Sequence, residues 1–117
     1  MRQDCMNNDF VEIDSQESLE QFLTASNGAT VLFKHSNMCG VSSRAYDEMA
    51  KLKEPVGLIT VQKARAVSDE IEKRWNVAHE TPQVLIIRDG KLIWDASHFL
   101  IKADAVEAAV RQMSSEQ

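Results

Sequence analysis

Ala29-Thr30-Val31-Leu32-Phe33-Lys34-His35 runs into the short loop Ser36-Asn37-Met38, then Cys39, then Gly40-Val41-Ser42-Ser43-Arg44-Ala45-Tyr46. The first part is an apolar, partly β-branched run and reads as a buried strand from about Thr30 to His35. The last part opens a helix, because Val41, Ala45, Met49 and Leu52 recur in a 3.6-residue rhythm. Cys39 therefore stands where a strand hands over to a helix. The free N–H groups and positive dipole end of that helix favour thiolate over thiol, and the thiolate is the nucleophilic form. Three residues on, where a dithiol oxidoreductase carries its second cysteine, the chain has Ser42. The chemistry this suggests is one-cysteine thiol–disulfide exchange. The competing reading is an inert, buried cysteine, and the rest of the chain decides between them.

Upstream, residues 1–8 read as a loose tail, and Phe10-Val11-Glu12-Ile13 as a short strand. Asp14 or Ser15 caps a helix, with Glu17 three residues after Asp14 as in a capping box. Leu19, Phe22 and Leu23 form its apolar face, and Asn27-Gly28 ends it. Downstream, Glu54-Pro55-Val56-Gly57 breaks the second helix, and Leu58-Ile59-Thr60-Val61 reads as a third strand. A polar helix is expected near Ser68 to Arg74, with Arg65 in the loop before it. Gln83-Val84-Leu85-Ile86-Ile87-Arg88 and Lys91-Leu92-Ile93-Trp94-Asp95-Ala96 flank Asp89-Gly90, a strong hairpin signal. Val106, Ala109, Val110 and Met113 mark a last helix.

Composition fits this outline. The chain has 117 residues, 44% hydrophobic and 26% charged, enough for one domain over 9–117 with a real core. A formal charge of -5 argues against nucleic-acid or anionic-membrane partners, which need basic patches. No apolar run reaches membrane-spanning length, and the N-terminus has no apolar signal-peptide region. The expected compartment is the reducing cytoplasm, where two cysteines, Cys5 and Cys39, are free or reactive rather than bridged.

The element order is β-α-β-α-β-α-β-β-α. Strands joined by helical crossovers are parallel, and the last two form an antiparallel hairpin. This α/β order, with a Cys after strand two and Thr81-Pro82 before strand four, resembles the thioredoxin-like fold, a central mixed sheet flanked by helices. The resemblance implies that Pro82 is cis and lies against the reactive sulfur. In that topology the ends carrying His35, His79 and His98 share the edge that carries the thiol. Histidine near a thiolate lowers its pKa or shuttles a proton, although each His also serves to satisfy a local backbone group. Arg65 is a candidate for binding a substrate carboxylate or a solvated loop charge. A Cys–His metal site lacks the usual close ligand spacing, so no metal is expected. Trp75 and Trp94 read as core residues, and Cys5 as a tail thiol or a resolving partner.

Leu32-Phe33-Lys34-His35-Ser36, Cys39-x-x-Ser42, Arg65-x-x-Ser68, Val77-x-His79-Glu80-Thr81-Pro82-Gln83, Asp89-Gly90-Lys91 and Ala96-Ser97-His98 together resemble the monothiol bacilliredoxins, thioredoxin-like proteins of bacillithiol-using bacteria. The likeness spans about Phe10 to Val110. It implies an enzyme that removes bacillithiol from protein mixed disulfides, with Cys39 as nucleophile, Ser42 and Pro82 beside it, and the Thr81 backbone pairing with substrate. His35, Arg65, His79 and His98 complete the candidate substrate-binding set. No cofactor is implied beyond the small thiol as co-substrate, and the partners are thiolated client proteins. Two positions depart from the family pattern, Gly40 in place of the usual Pro and Thr81 in place of the usual Ser. Gly40 also makes Cys-Gly-Val-Ser, similar to the Cys-Gly-Phe-Ser of monothiol glutaredoxins, which carry an iron–sulfur cluster with glutathione. The Gly-Gly-x-Asp stretch of that family is missing after the hairpin, which ranks this reading second. A non-catalytic binding domain of the same fold is the third.

Overall fold

A computed structural model describes residues 10–25, 28–38 and 40–115. The expected tail, Cys5, Asn27 and Cys39 itself lie outside these described residues. The elements are β1 (Val11–Glu12), α1 (Gln16–Ala25), β2 (Thr30–His35), α2 (Gly40–Met49), β3 (Val56–Thr60), α3 (Arg65–Trp75), β4 (Gln83–Arg88), β5 (Lys91–Ser97), a 3-10 turn (His98–Leu100) and α4 (Ala103–Ser115). The strands form one sheet in the order β1-β3-β2-β4-β5. The pairs β1–β3 and β2–β3 are parallel, and β2–β4 and β4–β5 are antiparallel.

Alternation along β2 divides the core between the two sheet faces. Val31 and Phe33 join Val84, Ile86, Ala45, Met49, Val106 and Val110 on the side of α2 and α4. Leu32 joins Ile59, Leu85, Ile87, Leu19, Val67 and Ile71 on the side of α1 and α3. Covered on both faces, β2 is apolar along most of its length, as the sequence suggests. The β4–β5 hairpin turns on Asp89 (φ 53°) and Gly90 (φ 76°), two successive left-handed residues as a type I′ turn requires. Trp75 donates its indole N–H to the Gly90 carbonyl at 2.9 Å, and Trp94 packs against the first cluster.

Several local expectations change. The capping box on α1 is Ser15 with Ser18, not Asp14 with Glu17. The Ser18 N–H donates to Ser15 Oγ at 3.0 Å, and the Ser15 N–H to Ser18 Oγ at 3.1 Å. The helix starts at Gln16, so Ser15 is the cap and Ser18 the third helical residue. Helix α3 begins at Arg65, one turn before the expected start. The N–H groups of Lys63 and Ala64 both bond Thr60 O, so the chain winds straight from β3 into the helix. Arg65 is therefore helical, not in a loop.

Strand β3 starts at Val56 rather than Leu58, because Pro55 alone is the break and Gly57 is a strand residue. A Cβ at Gly57 would lie 2.6 Å from Ile13 Cδ1 and 2.8 Å from the Phe22 ring. The missing side chain lets α1 sit on the sheet. Overpacking costs about 1–3 kcal/mol, and alanine recovers about 0.4–1 kcal/mol through the unfolded chain. Gly57→Ala should therefore shift the urea unfolding midpoint downwards.

Candidate active site

The loop 36–38 leaves β2 at the edge where the strand's hydrogen-bonding ladder ends, and its three backbone N–H groups need partners. Side chains supply all of them. The Ser36 N–H donates to Ser42 Oγ at 2.9 Å, the Asn37 N–H to Gln62 Oε1 at 3.2 Å, and the Met38 N–H to Ser36 Oγ at 3.3 Å. The Gln62 amide closes the set by donating to Ser36 Oγ at 2.8 Å. Ser42 is 0% exposed, and its hydroxyl also bonds His35 Nδ1 at 2.7 Å.

His35 follows β2 onto the α2 side. Its ring stands 5.4 Å from Phe33 and 5.1 Å from Tyr46, centroid to centroid. Burial pushes its pKa below the ordinary imidazole value, with the Ser42 hydrogen bond acting the other way. The neutral ring is thus the resting form near pH 7.

The opposite face of the same strand end carries Lys34, 0% exposed. Its amine bonds His79 Nδ1 at 2.8 Å, and Ser68 Oγ lies 3.3 Å from the same nitrogen. Burial lowers the Lys34 pKa, while the charges of Glu72, Asp69 and Glu80 raise it. Burial also lowers the His79 pKa, and the Lys34 charge adds to that. When Lys34 is an ammonium, which only donates, His79 accepts at Nδ1 and carries its proton on Nε2.

Between these faces lies the start of β4. The Thr81–Pro82 peptide bond is cis, and Pro82 is buried while Thr81 is half-buried. The Pro82 carbonyl accepts the His98 N–H at 3.0 Å. His98 has φ 56° and opens the 3-10 turn rather than simply following β5. Its Nε2 lies 3.3 Å from Glu80 Oε1.

The three histidines thus share one edge, each with a different partner. Arg65 is exposed at the first residue of α3. Ser42 and His35 meet directly, whereas His79 and His98 keep to other neighbours. The sequence reading passed over Lys34 and Gln62. Lys34 carried a signal, a lone charge in an apolar strand. Gln62 carried none.

A family model described as monothiol bacilliredoxin BrxC matches residues 11–106. The chain belongs to the monothiol bacilliredoxin family. A protein assigned as an oxidoreductase with a thioredoxin fold superposes with a TM-score of 0.80 at 30% identity, covering 86% of this chain and 92% of that one. A thioredoxin variant from Halobacterium salinarum NRC-1 gives 0.71 at 15% identity, with 92% and 93% covered. Mitochondrial thioredoxin 3 from Saccharomyces cerevisiae gives 0.69 at 16% identity, with 88% and 94% covered. The last two likenesses speak to the fold alone. The fold is thioredoxin-like, and family membership makes this bacilliredoxin a thiol–disulfide oxidoreductase.

The Lys34–His79 pair yields a signed prediction. The positive amine disfavours the imidazolium, so Lys34→Met should raise the His79 pKa, leaving burial opposed by the charges of Glu72, Asp69 and Glu80. Histidine ring signals followed by NMR from about pH 5 to 8 would register the rise. A His79 titration that stays in place would mean that the amine carries no charge there.

Proposed function

We propose that the protein is a monothiol oxidoreductase that removes a low-molecular-weight thiol, bacillithiol by the family reading, from protein mixed disulfides. The Cys39 thiolate attacks the sulfur of the small thiol in the mixed disulfide. The bond to the client breaks, the client leaves as a thiolate and takes up a proton, and a new disulfide joins Cys39 to the small thiol. Cys39 directly precedes α2 in the chain, and helix N–H groups there favour the attacking anion. The backbone of Thr81 beside Pro82 is the natural pairing edge for an extended substrate. Its partners are then thiolated client proteins, its co-substrate is the small thiol, its compartment is the cytosol, and it needs no resident cofactor.

One observation carries the one-cysteine form of this reading. The residue three after Cys39 is a buried serine whose hydroxyl is already engaged by the Ser36 N–H and His35. A hydroxyl cannot form a disulfide, so the adduct on Cys39 waits for a second thiol from outside.

Treatment with an oxidised small-thiol disulfide should leave wild type with a long-lived mass adduct on Cys39. Ser42→Cys should release that adduct and form an internal disulfide, provided its Cα lies within about 4.4–6.8 Å of that of Cys39. Cys39→Ser should form no adduct at that position. Wild type resolving its adduct as fast as Ser42→Cys would sink the one-cysteine mechanism and point to Cys5, in which case Cys5→Ser should trap the adduct. Anaerobic reconstitution with iron, sulfide and glutathione should leave the protein colourless. A stoichiometric [2Fe–2S] spectrum lost in Cys39→Ser would put the glutaredoxin-like reading first.

A further inference from the structure

We propose that Lys34 and His79 are positioning residues for thiol–disulfide exchange at Cys39, their hydrogen bond holding residues 78–82 so that the Thr81 backbone meets a client's extended chain in one geometry. The inference rests on the reading of Thr81 as the pairing edge and names what holds that edge in place.

Residues 76–82 connect α3 to β4 and belong to neither. Such a segment has no ladder to fix it, so its place depends on what its own groups bond. The Val77 N–H bonds back to Glu72 O at 3.2 Å. Gln83 Nε2 donates to Ala78 O at 3.0 Å, and Lys34 bonds His79 at 2.8 Å. From the other side, the His98 ring lies 3.3 Å from the Glu80 carboxylate, and the His98 N–H bonds Pro82 O at 3.0 Å. Thr81 stands between these ties and makes no hydrogen bond among the described residues.

The tie to His79 is made from the core. Lys34 is 0% exposed and directly opposes Gln83 in the β2–β4 ladder. Both side chains therefore stand on one face of the sheet and reach the same segment, Gln83 at Ala78 and Lys34 at His79. His79 is the one hydrogen-bond partner of the Lys34 amine among the described residues, while the residue as a whole is exposed. Swinging the ring into water would leave a buried ammonium with no acceptor, which costs far more than losing an exposed hydrogen bond. The amine thus holds an exposed ring from below. Ser68 Oγ, on a residue 1% exposed, lies 3.3 Å from the same nitrogen and narrows the ring's place. The Glu80–His98 contact, by contrast, joins two exposed side chains, and such pairs hold little.

Protonation breaks this tie, because an imidazolium has no acceptor for an ammonium. The charged groups that bear on His79 are Lys34 from β2, Asp69 and Glu72 from α3, and Glu80 from its own segment. Burial and Lys34 keep its pKa below the ordinary imidazole value against the pull of the three acids. The tie is therefore intact at neutral pH and is lost on the acid side of about 6.5.

The test uses two uncharged disulfides that leave the same group on Cys39. One is a capped peptide of uncharged residues whose single cysteine is joined to 2-mercaptoethanol. The other is 2-hydroxyethyl disulfide, which has no peptide chain to pair. In both, the Cys39 thiolate attacks a mercaptoethanol sulfur, the old disulfide bond breaks, and the leaving thiolate takes up a proton. Second-order rates of adduct formation on Cys39 are read by mass spectrometry. The ratio of the peptide rate to the small-disulfide rate is the observable, and the thiolate fraction of Cys39 cancels from it. Lys34→Met and His79→Leu should each lower the ratio about fivefold, the scale of one net hydrogen bond. His79→Asn keeps a side-chain acceptor and should retain most of the ratio. The wild-type ratio should fall from about pH 7 to about pH 5, whereas that of His79→Asn should stay flat. An unchanged ratio in Lys34→Met or His79→Leu overturns the proposal. So does an equal loss of both rates, which marks a merely structural role, or an acid fall that survives in His79→Asn. Should Lys34→Met fail to fold, the two His79 variants and the pH profile decide alone. A wild-type ratio no higher than that of free N-acetylcysteinamide sinks the pairing-edge reading and this inference with it. No adduct from either probe sinks the monothiol reading itself.

Discussion

The hydroxyl of Ser42 sees no solvent, and the start of the loop into Cys39 is held by it. Where β2 stops, the Ser36 N–H has no strand partner, and leaving such a group buried and unpaired costs about 1–3 kcal/mol. Ser42 Oγ accepts it and, through its bond to His35, also fixes the ring at the strand end. The first turn of α2 is thus pinned to the last residues of β2 by one oxygen. Gln62 repeats the device from the β3–α3 turn, so three consecutive loop N–H groups are met by side chains. A thiol in place of Ser42 is a weaker acceptor and would loosen this clamp. The atom that ties down the loop is also the atom that cannot form a disulfide, so loop geometry and one-cysteine chemistry share a single cause.

The second organising feature is a fully buried lysine. Lys34 follows Phe33 in β2 and, by alternation, falls on the α1/α3 face. Its amine is stabilised by His79 and by the field of Asp69, Glu72 and Glu80. Burial works against the charged form, so the arrangement holds only because those acids surround it. On the α2 side, Glu48 is engaged by the Ala103 N–H and by Lys51. The acid cluster around Lys34 follows from a strand residue that packing alone would have made apolar.

How much of this was legible in the sequence follows the range of the forces involved. Alternation in β2 and β4, the Asp89-Gly90 turn and the periodicity of α2 and α4 are local, and each gives the element where it is found. Topology then carries His35, His79 and His98 to one edge. The shifted starts of α3 and β3 are set by contacts instead: Thr60 O catching two N–H groups, and α1 pressing on Gly57. Gln62 reaches across 25 residues to the Asn37 N–H, and nothing in its own neighbourhood announces that. The 3-10 turn at His98 depends on the Pro82 carbonyl, which only the assembled sheet brings within reach.

Gly40 opens the helix that follows Cys39. It is the first residue of α2, and an added Cβ there would meet nothing within 4 Å. Packing therefore does not demand glycine, and proline is favoured at a first helical position because its missing N–H is unpaired there anyway. Glycine instead leaves the first turn with more backbone freedom and restores one N–H at the helix start. A donor there stabilises an anion more than a neutral thiol, which favours the thiolate of the residue just before it. Greater freedom weakens the same effect, because each N–H is held less firmly in line. Ser42 and Gln62 hold the chain ahead of Gly40, through bonds to the Ser36 and Asn37 N–H groups that do not involve its backbone. The clamp thus fixes the approach to α2 while glycine leaves its first residue free.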